Sequence, residues 1–316
     1  MLRKRLAKQS GVEEGRLELI EKTASKRYKV YEIPKMSGGI RVIEHPSREL
    51  KAIQRWIVKT ILRHLPIHDC ATAYKEGASI KYNAERHRRT NFTTRFDFLG
   101  FFPSFRQERI ELFLEQQSAD FDLGLSDGDI SFIGNILCRH GRLTIGAPSS
   151  PAVTNVMMYS FDRQFAALCS ERKLVYTRYA DDLFVSSREP NSLGGLEDEI
   201  RRVNRGIDHL ALRINHRKTA FLSRKYARRI AGVIVTPDRR LSIGRDRKRE
   251  IKSLVYMYLN GRLPSERLSY LRGLLAFACD VEPDFESRLR RKYGDSVIQQ
   301  VLHSPNLDSL SSMRRS

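Results

Sequence analysis

Three aspartates carry the chemistry this sequence can do. Asp181 and Asp182 are adjacent within Tyr176-Thr177-Arg178-Tyr179-Ala180-Asp181-Asp182-Leu183-Phe184-Val185-Ser186, and Asp97 lies far upstream in Phe92-Thr93-Thr94-Arg95-Phe96-Asp97-Phe98. Two neighbouring carboxylates repel each other, and Arg178 is the one basic residue close to them in this stretch. A hard divalent cation such as Mg²⁺ is the usual counter-charge for such a pair. An acidic β-turn has the same sequence, because Asp is a common turn residue. Asp97 sits among aromatics, where an unpaired charge is costly or takes up a proton; a metal would remove that cost. If the Asp97 strand lies beside the Asp181-Asp182 hairpin, three carboxylates converge, the minimal ligand set for two Mg²⁺ ions, with Mn²⁺ as a substitute. Two metals can clamp the attacking and leaving oxygens of an in-line phosphoryl displacement, with a substrate triphosphate supplying further oxygens.

The elements that must position these groups are legible in outline. β-branched and aromatic residues on both sides of Ala180-Asp181-Asp182 predict two short strands and a tight turn. Phe92–Phe98 alternates with period two and predicts a strand. Arg27–Pro34 and Ile40–Ile43, joined by Met36-Ser37-Gly38-Gly39, predict a hairpin with Lys35 and Arg41 near its tip. Pro46-Ser47 opens a helix whose apolar stripe is Leu50, Ile53, Ile57, Ile61 and Leu65, with Trp56 as a core or half-buried anchor. Residues 1 to about 25 read as a polar helical lead-in. Residues 77–91 are polar and basic, and Arg86-His87-Arg88-Arg89 is either a solvated face or a surface that meets phosphates. Gly146-Ala147-Pro148-Ser149-Ser150-Pro151 is a compact turn that lets backbone approach a ligand or simply starts the helix at 152–169. A helix over 196–211, a short strand at Leu212–Asn215 and a strand over Arg229–Val235 follow. Helices over Arg245–Leu259, Pro264–Val281 and Pro283–Tyr293 form a basic module. The order of these elements predicts an α+β layer.

Bulk properties narrow the partners. The 316 residues include 57 Lys plus Arg against 37 Asp plus Glu, a formal charge of +20, with a pI near 10.1. That excess points to a polyanion, nucleic acid first. No apolar run is long enough for a membrane span and the basic N-terminus lacks the apolar segment of a signal peptide, so a cytoplasmic protein without a membrane partner is expected. Cys70, Cys138, Cys169 and Cys279 are widely spaced and are expected to be buried free thiols.

Tyr179-Ala180-Asp181-Asp182, with Asp97 opening Asp-x-x-x-Phe-Phe-Pro-Ser upstream and Gly-Ala-Pro-Ser-Ser-Pro between them, resembles the reverse transcriptases. Asn83-Ala84-Glu85-Arg86-His87 and Pro46-Ser47-Arg48-Glu49-Leu50-Lys51 narrow the resemblance to the bacterial retron enzymes, over residues 27 to 295. The resemblance implies a right-hand polymerase: an N-terminal lead-in and fingers over 1–90, an antiparallel palm sheet packed on helices over 91–240 (with a fingers insertion at about 105–145), and a basic helical thumb over 241–300; the Ser-rich composition beyond it predicts a disordered tail over 301–316. It makes Asp97, Asp181 and Asp182 the catalytic ligands of Mg²⁺, with Asp182 the weaker one. It puts Phe102 at the steric gate against a ribose 2′-hydroxyl. Gly146 and Ala147 would offer backbone to nucleotide and template, Lys35 and Arg41 would meet the triphosphate, and Lys218 would help protonate the leaving pyrophosphate. Asn83, His87 and Arg88, with the thumb residues Arg245, Arg247, Lys248, Arg249 and Lys252, would hold nucleic acid.

By the same resemblance the protein would use dNTPs and a cognate structured non-coding RNA, prime from a 2′-hydroxyl within it, and make branched RNA–DNA. It would act in anti-phage defence with a separate effector protein. Two positions depart from the family pattern: Ile145 stands where related enzymes have Gln, and Ile230-Ala231-Gly232 replaces Val-Thr-Gly. The alternatives are another bacterial or group II intron-like reverse transcriptase, and an RNA-binding protein that has lost catalysis.

Overall fold

The computed structural model describes residues 2–34 and 38–303. In chain order its elements are α1 (Leu2–Ser10), α2 (Glu14–Lys22), β1 (Tyr28–Pro34), β2 (Ile40–Pro46), α3 (Arg48–Thr60), α4 (Ile80–His87), β3 (Phe92–Asp97), the single turn α5 (Phe101–Ser104), α6 (Gln107–Asp120), α7 (Asp127–Leu137), α8 (Ser150–Met157), α9 (Tyr159–Glu171), β4 (Val175–Tyr179), β5 (Asp182–Ser187), α10 (Leu196–Arg205), β6 (Ala220–Ser223), β7 (Arg228–Ile230), β8 (Val233–Val235), β9 (Leu241–Ser242), α11 (Arg245–Leu259), α12 (Ser265–Val281), α13 (Pro283–Tyr293) and α14 (Asp295–His303). They form two compact units, Met1–Ala78 with Thr93–Phe221, and Ser79–Phe92 with Leu222–Ser316.

The first unit is built on a sheet of order β4-β5-β3-β6, with β4 and β5 antiparallel. Its core draws on Ile110 and Phe113 of α6, Ile133 and Leu137 of α7, Phe161 and Phe165 of α9, Leu183 and Val185 of β5, and Ile200 of α10. Truncating one such buried phenylalanine to alanine costs about 3–5 kcal/mol. α3 shows why the local sequence suffices there. Ser47 caps it, its hydroxyl accepting from the Leu50 amide at 3.4 Å, and Leu50, Ile53 and Ile57 are buried one to two turns apart. β1 and β2 pair antiparallel with Ile33 opposite Arg41.

The second unit holds the antiparallel sheet β7-β8-β9, α4, and helices α11 to α14, which bury Ile251, Leu254, Leu271, Leu275, Phe285, Leu289 and Ile298.

Several expectations shift. The lead-in is not merely polar: α1 and α2 bury Leu2, Leu6, Leu17 and Ile20 in the core. Pro46 closes β2 rather than opening α3, and the stretch 152–169 is two helices broken at Met158. Residues 212–215 make only an isolated bridge, Phe98 to Ile214. The stretch 229–235 is a hairpin rather than one strand, because Ala231 (φ 44°) and Gly232 (φ 89°) both turn left-handed, the geometry of a two-residue hairpin turn. The second unit takes residues 79–92 away from the expected 1–90 segment. Of the expected tail, 301–303 belong to α14 with Val301 buried, and 304–316 lie outside the described residues. The cysteines are free, three buried and Cys279 half-buried.

Candidate active site

β4 ends at Tyr179 and β5 begins at Asp182, with Tyr179 and Asp182 paired across the ladder. Ala180 and Asp181 are therefore a two-residue turn, and Ala180 is left-handed at φ 55°. β3 is the next strand beyond β5, and the amide of Phe98 donates to the Asp181 carbonyl at 3.2 Å. The far-apart carboxylates are thus neighbours in the sheet. Their side chains are less gathered than the sequence suggests. Asp97, 4% exposed, accepts from Lys218 Nζ at 2.8 Å and Asn215 Nδ2 at 3.2 Å. Arg95 Nε lies 3.9 Å from Asp182 Oδ1. Among the described residues no three His, Cys, Asp or Glu side chains form a group that could hold a metal ion, and the Asp97 carboxylate is already engaged by Lys218 and Asn215.

The electrostatics nevertheless suit a cation. Burial raises the Asp181 carboxyl, and the charge of Asp97 raises it further. Burial, then the charge of Asp181, pushes Asp182 up to about 7. Lys218 and Arg95 leave that repulsion only partly offset, and the donors are hard carboxylate oxygens, which fit a divalent ion such as Mg²⁺.

Around this centre, Phe102 is half-buried on α5 with its ring 5.6 Å from that of Phe101. Arg41 is exposed on β2, and Lys35 lies outside the described residues. Gly146 (φ 119°) is exposed but its backbone lies against β2. An added Cβ would come within 3.0 Å of the Glu44 carbonyl and of Ile43 Cγ2. Ala147 is buried, and the Ile145 carbonyl accepts from the Glu44 amide at 2.8 Å. At the position of the missing Gln, the backbone thus serves the hairpin β1–β2.

The second unit sorts the expected nucleic-acid contacts. Asn83 and His87 are completely buried inside the unit rather than displayed. His87 stays neutral, burial pushing its pKa down to about 3. Arg88 pairs with Glu85 at 2.9 Å. On α11, Arg245, Arg249 and Lys252 are exposed. Arg247 instead donates to the Gly232 carbonyl at 2.9 Å and lies over the Phe277 ring, and Lys248 donates to Glu282 at 2.6 Å. A cavity of about 450 Å³ in this unit is lined by Lys81, Arg88, Arg240, Lys248, Glu282 and Arg288 among others, and by none of the three aspartates.

Sequence reasoning passed over Asn215 and Arg95. Asn215 holds Asp97 twice, its amide nitrogen donating to the Asp97 carbonyl at 2.7 Å as well as its side chain to the carboxylate. Its place three residues before Lys218 in an Asn-x-x-Lys turn was the available signal. Arg178, the expected basic neighbour of the aspartate pair, instead makes a buried ion pair with Asp162.

The family described as "Reverse transcriptase (RNA-dependent DNA polymerase)" matches residues 33–256. The chain is 36% identical to the Retron Ec83 reverse transcriptase of Escherichia coli, covering 90% of this chain and 92% of that protein. It is 29% identical to the Retron Ec86 reverse transcriptase of the same organism, covering 90% and 88%. Against the Retron Mx65 reverse transcriptase of Myxococcus xanthus the identity is 27%, covering 84% of this chain and 64% of that protein. In structure it is similar to a Candida albicans telomerase solved with a telomeric RNA fragment, with a TM-score of 0.50 and 15% identity, covering 88% of this chain and 56% of that one. That likeness is one of fold.

Proposed function

The chain belongs to the reverse transcriptase family, and within it to the retron type, and from that premise we propose that it copies its own cognate structured RNA into DNA and joins the two. It is an RNA-directed DNA polymerase with the α+β fold of the right-hand polymerases, and its partners are an RNA template and a DNA product. The proposal adds a start from a 2′-hydroxyl inside the RNA, a branched RNA–DNA product, and a role in anti-phage defence alongside an effector protein.

The observation that supports the catalytic assignment is the bond from the Phe98 amide to the Asp181 carbonyl, which sets Asp97 beside the hairpin. Asp97, Asp181 and Asp182 would hold two Mg²⁺ ions. Bound there, they would supply Lewis-acid stabilisation of the attacking and leaving oxygens. Asn215 keeps Asp97 oriented. Lys218 releases Asp97 and carries a proton to the leaving pyrophosphate. Arg41 and Lys35 meet the triphosphate, and backbone at Gly146 and Ala147 meets nucleotide and template. Phe102 fills the space of a ribose 2′-hydroxyl. The exposed Arg245, Arg249 and Lys252 grip duplex phosphates as the thumb, which positions the duplex without reading its sequence.

Replacing Asp181 and Asp182 together by Ala is expected to abolish Mg²⁺-dependent DNA synthesis on the cognate RNA, and a branched RNA–DNA species is expected to co-purify with the wild-type protein only. Full synthesis by the double variant would overturn the assignment.

A further inference from the structure

Behind the hairpin lies a buried polar cluster that the proposed chemistry does not use. The side chains of Arg178 and Asp162 are wholly shielded from solvent. Arg178 Nε donates to both oxygens of Asp162 at 3.0 Å, Nη2 donates to Oδ2 at 2.6 Å, and the Tyr176 hydroxyl donates to Oδ1 at 2.9 Å. Such a pair is weak evidence for stability, since an apolar replacement of equal volume is often neutral. What distinguishes this one is where the other guanidinium nitrogen goes. Nη1 donates to Asn155 Oδ1 at 3.1 Å and to the carbonyl of Ala180 at 3.3 Å. Asn155, 1% exposed, donates from Nδ2 to the Ala73 carbonyl at 2.8 Å.

One of the two carbonyls so held belongs to a left-handed alanine, and the other immediately precedes a left-handed tyrosine. Ala180 is at φ 55° and precedes Asp181; Tyr74, which follows Ala73, is at φ 57°. Backbone on both sides of this node is fixed as well: the Arg178 amide donates to the Cys70 carbonyl and the Thr72 amide to the Arg178 carbonyl, each at 2.8 Å. Left-handed backbone at an alanine persists only where its surroundings over-determine it, and the guanidinium clamp on the Ala180 carbonyl supplies that constraint from inside the fold.

We propose that Arg178, oriented by Asp162 and Asn155, is a positioning residue for the polymerase reaction, holding the Ala180 carbonyl and thereby fixing the turn that presents Asp181; the proposal rests on the assignment of Asp181 to the catalytic site. It touches neither nucleotide nor nucleic acid and acts through the backbone alone.

The test uses the full chain with R178K and N155A. R178K keeps a positive charge opposite Asp162 but has no second nitrogen for Ala180; N155A leaves the ion pair whole and removes only its brace, so it remains informative where R178K does not fold. Each is measured for melting temperature, affinity for the cognate RNA, kcat and KM for dNTPs, and the Mg²⁺ concentration giving half of the Mg²⁺-induced melting shift. For R178K a fall in kcat and a rise in that Mg²⁺ midpoint, each about tenfold, are expected with RNA affinity unchanged, as sub-ångström misplacement of a reacting group predicts. N155A shifts both in the same direction, about threefold by the same reasoning. Adding A180G to R178K restores part of kcat, because glycine adopts the left-handed turn unaided. Wild-type kcat and Mg²⁺ midpoint in the folded fraction of either variant, or no recovery with A180G, would overturn the proposal. Loss of synthesis in D181A is the control: if D181A synthesises normally, the catalytic assignment itself falls, whereas a dead D181A beside an unaltered R178K removes only the positioning role.

Discussion

Asp182 ionises against its burial, the charge of Asp181 beside it and, more weakly, that of Asp97, and its carboxyl is lifted to about 7. In the unfolded chain the same group titrates near about 4. The folded state therefore holds the proton more firmly between these values, and in the metal-free protein this group's contribution to stability is fully present below about 4 and is lost as pH rises through about 7. The metal-free melting temperature, compared between wild type and Asp182→Asn, is expected to fall more steeply with rising pH across that window in the wild type; identical slopes would contradict the shift. A divalent cation competes with that proton, so its stabilising effect is expected to weaken toward pH 6. Phe102 offers a second residue-level test: Phe102→Ala is expected to raise ribonucleotide over deoxynucleotide incorporation by about tenfold or more, the scale on which pocket shape discriminates, read from primer extension with each nucleotide separately. The aspartates were legible because acids at the end of an alternating apolar run stand out. Arg178 and Asp162 were not, since a buried polar pair on two different elements leaves no period or spacing in the sequence.

Among the elements, the small-residue turn before α8 and the hairpin β1–β2 are held together at close range. Gly146 has φ 119° and no room for a methyl group against Glu44 and Ile43, so backbone strain and a clash act together on any substitution. Gly146→Ala is expected to cost about 1–3 kcal/mol and to lower the melting temperature, with a loss of dNTP affinity if the turn shifts; unchanged melting would mean that β2 yields. α11 and α13 were read from the sequence with the bounds the structure gives them, because apolar spacing and, for α13, the proline in its first turn are local signals. The break between β7 and β8 was missed because one of its two left-handed residues is an alanine, whose sequence carries no sign of the turn. For α4 the sequence left a solvated face or a phosphate-meeting surface open, and the family resemblance of Asn83-Ala84-Glu85-Arg86-His87 put Asn83 and His87 on nucleic acid. Packing within the second unit buries both, and Arg228, itself buried, donates to the carbonyls of His87 and Thr90 at 3.3 and 2.9 Å, satisfying backbone at the helix end.

For the whole molecule, the charge of +20 sets how binding responds to salt. The affinity for duplex is expected to fall linearly on a log–log plot, and Arg245→Ala with Arg249→Ala is expected to reduce the slope by about 0.9 for each phosphate contact removed. Lys248→Ala, which breaks the bond to Glu282, is expected instead to lower the melting temperature and leave the salt slope alone; titrations at several ionic strengths distinguish the two. Net charge and motif order announced a nucleic-acid enzyme, yet the division into units escaped the sequence, because it depends on which distant segments share a core. That division has a further consequence. The second unit is assembled from an early segment, Ser79–Phe92, and a late one beginning at Leu222. As the chain leaves the ribosome from its N-terminus, α4 emerges long before the strands and helices that cover it, and Asn83 and His87 must wait uncovered. Eight residues are too few for a stable helix in water, so Ile80–His87 gains its lasting helical form only once the late segment packs on it.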